Sequence, residues 1–174
     1  FLLSTAQYQT MFGESYTDWN YITRYCDASW INTYSCSRDT LMDEESYKII
    51  DGLGYVKESS ENEKLWLRRT PMDSALLIFD LSLSTGDSFF LGSRHWIVDS
   101  IFALNGLRVV EFETIPPHCG PEDVPVRFVE GLGPNFDFQY FLTDWEEEYA
   151  NLIRCHTKDS AVSQYMPFYG DGDC

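Results

Sequence analysis

Apolar residues recur at every second position through much of this chain, and that period predicts β-strands. The clearest case runs from Leu76 to Leu91, where Leu77, Phe79, Leu81 and Leu83 alternate against Ile78, Asp80, Ser82 and Ser84. Ser84-Thr85-Gly86-Asp87 then supplies turn chemistry before a second apolar run from Phe89 to Leu91, so the stretch reads as a core hairpin. Residues 19–25 and 32–37 are strand-like, and the acidic Asp43-Glu44-Glu45 makes the charged tip of a hairpin leading into Tyr47-Lys48-Ile49-Ile50. Tyr55 to Glu58 and Lys64 to Arg69 follow; Leu65 and Leu67 face one way, and Lys64, Trp66 and Arg68 the other. Asn105-Gly106, between His95–Ala103 and Leu107–Glu113, is the strongest short-range hairpin signal in the chain. Val126 to Glu130 is a further strand, and residues 151–156 and 161–166 form a closing hairpin around Lys158-Asp159. Only residues 143–150 predict a helix, with Thr143 or Asp144 as N-cap and acids in the first turn.

About ten to twelve short strands at close spacing imply an all-β fold, a single antiparallel meander closed as a sandwich or barrel-like roll. The 174 residues suffice for one domain, expected over residues 7–168. Residues 115–125 hold four of the seven prolines and can only be a loop. Residues 169–174, with Asp171 and Asp173 alternating with glycine, read as the start of a linker; they lack the remaining ligands of a calcium loop.

Charge then narrows the partners. Twenty-eight acids against twelve Lys+Arg give a formal net charge of −16. Nucleic acid needs a basic footprint, and anionic membrane needs a basic patch, so both are excluded as partners. No stretch reaches the length of a membrane span, so no membrane insertion is expected. Residues 1–6, with Ser4 and Ala6 as small residues ahead of Gln7, resemble the tail of a signal peptide. Five cysteines fit an oxidising compartment, with Cys26 paired to Cys36, Cys155 to Cys174, and Cys119 left over.

A set of short motifs occurs in order along the chain. Trp19 comes first, then Arg38-Asp39-Thr40, Tyr47-Lys48, Tyr55-Val56-Lys57-Glu58 and Leu65-Trp66-Leu67. Leu77-Ile78-Phe79-Asp80-Leu81-Ser82-Leu83 with Gly86-Asp87-Ser88 continues the series, then Phe128-Val129-Glu130-Gly131-Leu132-Gly133. Leu152-Ile153-Arg154-Cys155, Lys158-Asp159 and Cys174 end it. In that order the chain resembles the β-rich domain of secreted Bacteroidota proteins that carry a type IX secretion C-terminal sorting domain; the sorting domain itself is absent here. The resemblance implies export by the type IX secretion machinery, and a secreted or cell-surface location. It supplies no catalytic residues.

Candidate chemistry is sparse. His118-Cys119 is the nearest thing to a metal cluster among three histidines, and no zinc spacing accompanies it, so neither metal nor cofactor is expected. No G-x-S-x-G, H-E-x-x-H or phosphate-binding loop appears. The acidic runs at 43–45 and 146–148 read as solvated faces. The aromatics are the better lead: Trp30, Tyr34, Trp66, Phe136, Phe138, Tyr140 and Trp145 include several expected in loops or on outer faces, where rings stack on glycans or anchor protein partners. The expectation is a secreted, non-catalytic binding module for a glycan or protein ligand. An extracellular hydrolase using two acids and a structural spacer ahead of a sorting domain are the alternatives.

Overall fold

Local turn chemistry folds the chain back on itself repeatedly. Asp43 (φ 52°) and Glu44 (φ 67°), like Asn105 (φ 53°) and Gly106 (φ 84°), place two consecutive residues at positive φ. Such two-residue turns match the right-handed twist of the strands they join. A computed structural model describes residues 8–25, 28–61, 63–91, 94–115, 124–138 and 150–164. Their strands are β1 (Thr17–Tyr25), β2 (Ala28–Met42), β3 (Glu45–Ile50), β4 (Gly54–Ser59), β5 (Lys64–Arg68), β6 (Leu76–Asp80) and β7 (Ser88–Leu91). They continue as β8 (Arg94–Leu104), β9 (Leu107–Ile115), β10 (Val124–Val129), β11 (Gly133–Pro134), β12 (Ala150–Lys158) and β13 (Ala161–Gln164). The expected helix at 143–150 lies outside the described residues except for Ala150, which opens β12.

The protein is all-β, built from two curled antiparallel sheets. Eight strands form one, in the order β13-β12-β1-β2-β3-β4-β5-β6, and five form the other, β11-β10-β9-β8-β7. Each sheet meanders locally, but β12 returns from the far end of the chain to pair with β1, Trp19 opposite His156. Inward-facing side chains from both sheets merge into one core. Phe79 of β6 meets Phe128 of β10 at 4.8 Å between ring centroids, and Phe128 also touches Phe89 at 5.1 Å and Phe112 at 4.8 Å. Aromatic pairs in tilted and edge-to-face arrangements add to simple area burial.

The hairpin expected at 76–91 does not form. β6 and β7 are edge strands of different sheets, and residues 81–87 carry the chain between them. Asp80 ends β6: its Oδ1 accepts the Ser82 N–H at 2.8 Å and the Ser82 hydroxyl at 2.6 Å. Leu81 donates its N–H to Glu63 O, and Leu83 O accepts from Arg108 Nη2 across the gap at 3.1 Å. Asp87 Oδ2 takes the Ser84 N–H at 2.8 Å and shapes the turn into β7. The leucine alternation outlasts the strand because Leu81 and Leu83 are packed in the core while crossing between sheets. Ile78, expected on the polar face, is buried because the β5–β6 register shifts there and leaves it as the extra residue of a bulge.

An N-terminal strap, residues 8–16, ties the two sheets together. Glu58 on β4 accepts from the Tyr8 hydroxyl at 2.7 Å, the Met11 N–H at 2.8 Å and the Thr10 hydroxyl. Glu130, at the end of β10, accepts the N–H of Gln9 at 2.9 Å and that of Arg108 at 3.0 Å. Asp159, in the turn after β12, collects the N–H groups of Glu14, Ser15 and Tyr16. These donors, Ser15 foremost, hold its carboxyl below the usual range. Met11 and Phe12 enter the core from this strap. Gly133 (φ 100°) lies beneath it, where a Cβ would overlap Met11 Sδ. Gly133→Ala is expected to cost about 1–3 kcal/mol through that backbone conformation and displacement of Met11, read as a lower denaturation midpoint.

The cysteines depart from expectation in one respect. Cys36 is a free, buried thiol, and burial pushes its pKa up. It does not pair with Cys26. Tyr25 faces Ala28 where β1 meets β2, while Cys36 faces Thr17 at the other end of the ladder. Eight residues from Ala28 at ~3.3 Å each put that thiol roughly 26 Å along the strand, well past the ~7 Å limit for Cα atoms of a disulfide. Cys155 is disulfide-bonded; Cys26, Cys119 and Cys174 lie outside the described residues, so its expected pairing with Cys174 does too.

Candidate functional site

Strand β8 contributes three exposed apolar side chains, Ile97, Phe102 and Leu104. Its sequence, Arg94 to Leu104, is apolar on both faces. Trp96 and Val98 point into the core, so His95 and Ile97 point outward. A bulge between Val98 and Ser100 then inserts Asp99. The outward set resumes at Ser100, Phe102 and Leu104, opposite Glu111, Val109 and Leu107 of β9. On the neighbouring β7, Phe89 is core and Phe90 faces out beside His95.

The resulting stripe runs along the outer face of the five-stranded sheet. Phe90 is 66% exposed, and Ile97, Phe102 and Leu104 are each 36–37% exposed. The rings of Phe90 and His95 stack with centroids 4.5 Å apart and planes 7° apart, which leaves a flat, open Phe90 face. Farther along, the Arg127 guanidinium lies 5.8 Å from the centre of the Phe102 ring, a cation–π contact. Glu111 orients Arg127: its Oε2 accepts from Arg127 Nε at 2.6 Å, and its Oε1 from the Ser100 hydroxyl at 3.2 Å. Two ring platforms therefore lie on one face with donors and acceptors between them.

The aromatics expected to bind ligand are distributed differently. Tyr34 and Phe138 are corrected to core residues: both are buried, Phe138 packing edge-on against Trp19 at 5.7 Å and Tyr34 against Tyr21 at 5.5 Å. Phe136 is buried as well. Tyr34 occupies an inward position of β2, and its hydroxyl reaches Asp137 Oδ2 at 3.4 Å. Burial, then that carboxylate, raises the phenol pKa, so Tyr34 stays a neutral donor. Trp66 does face outward on the eight-stranded sheet, half-buried, with Lys57 Nζ 5.0 Å from the ring centre. Lys57 also pairs with Glu45 at 2.8 Å, and that hydrogen bond lowers the Glu45 pKa. Tyr140, Trp145 and the side chain of Trp30 lie outside the described residues.

Phe90, His95, Ile97, Phe102 and Leu104 were hidden by their own sequence context. A continuous apolar run reads as a strand buried on both faces, but this sheet has one core face, and the second apolar set is left outside. The adjacent pair Phe89-Phe90 carries the same signal in miniature, since neighbouring strand residues point opposite ways.

Among the described residues no cluster of three or more His, Cys, Asp or Glu is placed to hold a metal ion. None of their helices is long and apolar enough to cross a membrane. Their best-buried acids each meet a partner: Asp137 accepts from the Tyr34 hydroxyl, Glu130 and Asp80 carry the donors described above, and Asp80 also meets Lys64 Nζ at 3.1 Å. No family model, curated protein or solved structure matches the chain.

Proposed function

We propose that this is an exported, non-catalytic binding module that meets its ligand with the outer face of the five-stranded sheet. The observation that carries the reading is the stripe of Phe90, Ile97, Phe102 and Leu104, which keeps apolar side chains in water along one strand pair. Single exposed apolar residues are ordinary, but exposed apolar side chains aligned on one sheet face, with the Ser100–Glu111–Arg127 polar groups among them, support an interaction surface. The acidic net charge of −16 fits a protein kept soluble outside the cell. The motif order shared with the β-rich domain of type IX secretion cargo supports export and surface display. A hydrolase would need two facing carboxylates, whereas Glu58, Glu130 and Asp159 are engaged by the N-terminal strap.

Retention on immobilised panels of purified extracellular polysaccharides and proteins tests the reading. Wild type is expected to be held by at least one panel member without turning it over. The face variant Phe90→Ser/Ile97→Ser/Phe102→Ser is expected to lose at least 90% of that retention with its denaturation midpoint little changed. Turnover of a panel member, equal retention by the variant, or no retention at all would each overturn it.

A further inference from the structure

We infer that the ligand of this face is a neutral, extended oligosaccharide lying along β8, an assignment that rests on the binding reading above. Shape is the first reason. The stripe is one to two strands wide, at ~5 Å per strand, and follows the eleven residues of β8 for roughly 35 Å. That footprint, on the order of 200–300 Å², falls well short of the ~800 Å² each partner contributes to a stable protein interface. A narrow, linear chain fits it.

Chemistry is the second reason. Pyranose rings present C–H faces that stack on aromatic rings and hydroxyl edges that need both donors and acceptors. Phe90, backed by His95, offers one open ring face. Phe102, 37% exposed with the Arg127 guanidinium over its ring, stands about seven residues along β8 from His95, or roughly 20 Å at ~3.3 Å per residue. Between and beside them stand Ile97, Asp99, and the Ser100–Glu111–Arg127 chain of hydrogen bonds. Several sugar units are needed to reach from one platform to the other.

Charge is the third. A surface at −16 repels uronic-acid, sulfated and phosphorylated polymers, and Arg127 is already committed to Glu111. The ligand is therefore an uncharged glycan.

Calorimetric titration with neutral hexasaccharides of glucose, xylose and mannose, beside a hexauronate, tests the assignment. At least one neutral hexasaccharide is expected to bind, and to bind more tightly than its trisaccharide. Phe90→Ala and Phe102→Ala should each weaken it about tenfold. The double variant should lose about a hundredfold, because sites this far apart act independently. Leu41→Ser, on the other sheet, should change nothing. Silence from all three neutral hexasaccharides, undiminished affinity in the double variant, or equal binding of the hexauronate would overturn it. If only purified proteins are retained, and Phe90→Ser/Ile97→Ser/Phe102→Ser releases them, the glycan assignment falls while the binding face stands. If that variant releases nothing, the binding face falls too.

Discussion

Acidifying the protein from pH 7 to pH 4 is expected to remove about 3 kcal/mol of stability through His156 alone. The ring is buried on β12 against Trp19, with centroids 5.5 Å apart, and its Nε2 donates to Met11 O at 3.0 Å. Burial pushes its pKa down from 6.5 to about 4. The Met11 carbonyl and Asp18 oppose that shift, and Lys158 adds to it. A depressed folded-state pKa means that the unfolded chain takes up the proton first. The neutral ring's contribution is therefore complete above about pH 6.5 and is lost as pH falls toward 4, at about 1.4 kcal/mol per pH unit. The cost of protonation falls on the buried ring and not on its hydrogen bond, since the Met11 carbonyl favours the charged form while burial against Trp19 disfavours it. Urea unfolding followed by tryptophan fluorescence between pH 7.5 and 3.5 measures the loss. His156→Gln keeps a donor for Met11 O but has no proton to gain, so its profile should be flatter by about 3 kcal/mol over that window. Parallel profiles for the two proteins would show that burial does not depress this histidine.

The class of the fold was legible because strand period and turn chemistry are local. Asn105-Gly106 and Asp43-Glu44 form the turns that their flanking runs demand, and β3, β4, β5, β8 and β9 fall close to where alternation places them. Sheet membership was not legible, since it depends on what a strand meets. Residues 76–91 carry the alternation of a hairpin, yet the Asp80–Ser82 hydrogen bonds break the strand and the leucines after it serve the core in transit. The Cys26–Cys36 pairing failed for a related reason: sequence separation is short, but Cys36 lies opposite Thr17, at the far end of the β1–β2 ladder from the Tyr25–Ala28 pair. The candidate face shows the limit in another form. Tyr34, Phe136 and Phe138 look as displayable as Phe90 and Phe102 by residue type. Strand position sends Tyr34 inward and Phe90 and Phe102 outward, while Phe136 and Phe138 are buried in the segment that follows β11.

Phe128→Ala is expected to cost about 3–5 kcal/mol, the range for deleting a fully buried aromatic side chain. Phe128 on β10 is fully buried, with Phe79 from the opposite sheet and Phe89 and Phe112 from its own packed against it. Its removal both forfeits the transfer free energy of the ring and opens a cavity between sheets that the surrounding backbone hydrogen bonds keep from collapsing. Against a typical domain stability of 5–15 kcal/mol, the variant stands near the edge of folding, and its midpoint should drop by roughly 6–20 °C. Phe90→Ala provides the contrast on the same sheet. That ring is 66% exposed, so its loss should move the midpoint by no more than about 0.5 kcal/mol. Calorimetry of the two variants measures both shifts together. A large loss at Phe128 beside a negligible one at Phe90 is the pattern required if one phenylalanine joins the sheets and the other is held out for a ligand. Equal losses would mean that Phe90 is part of the fold and not free to bind.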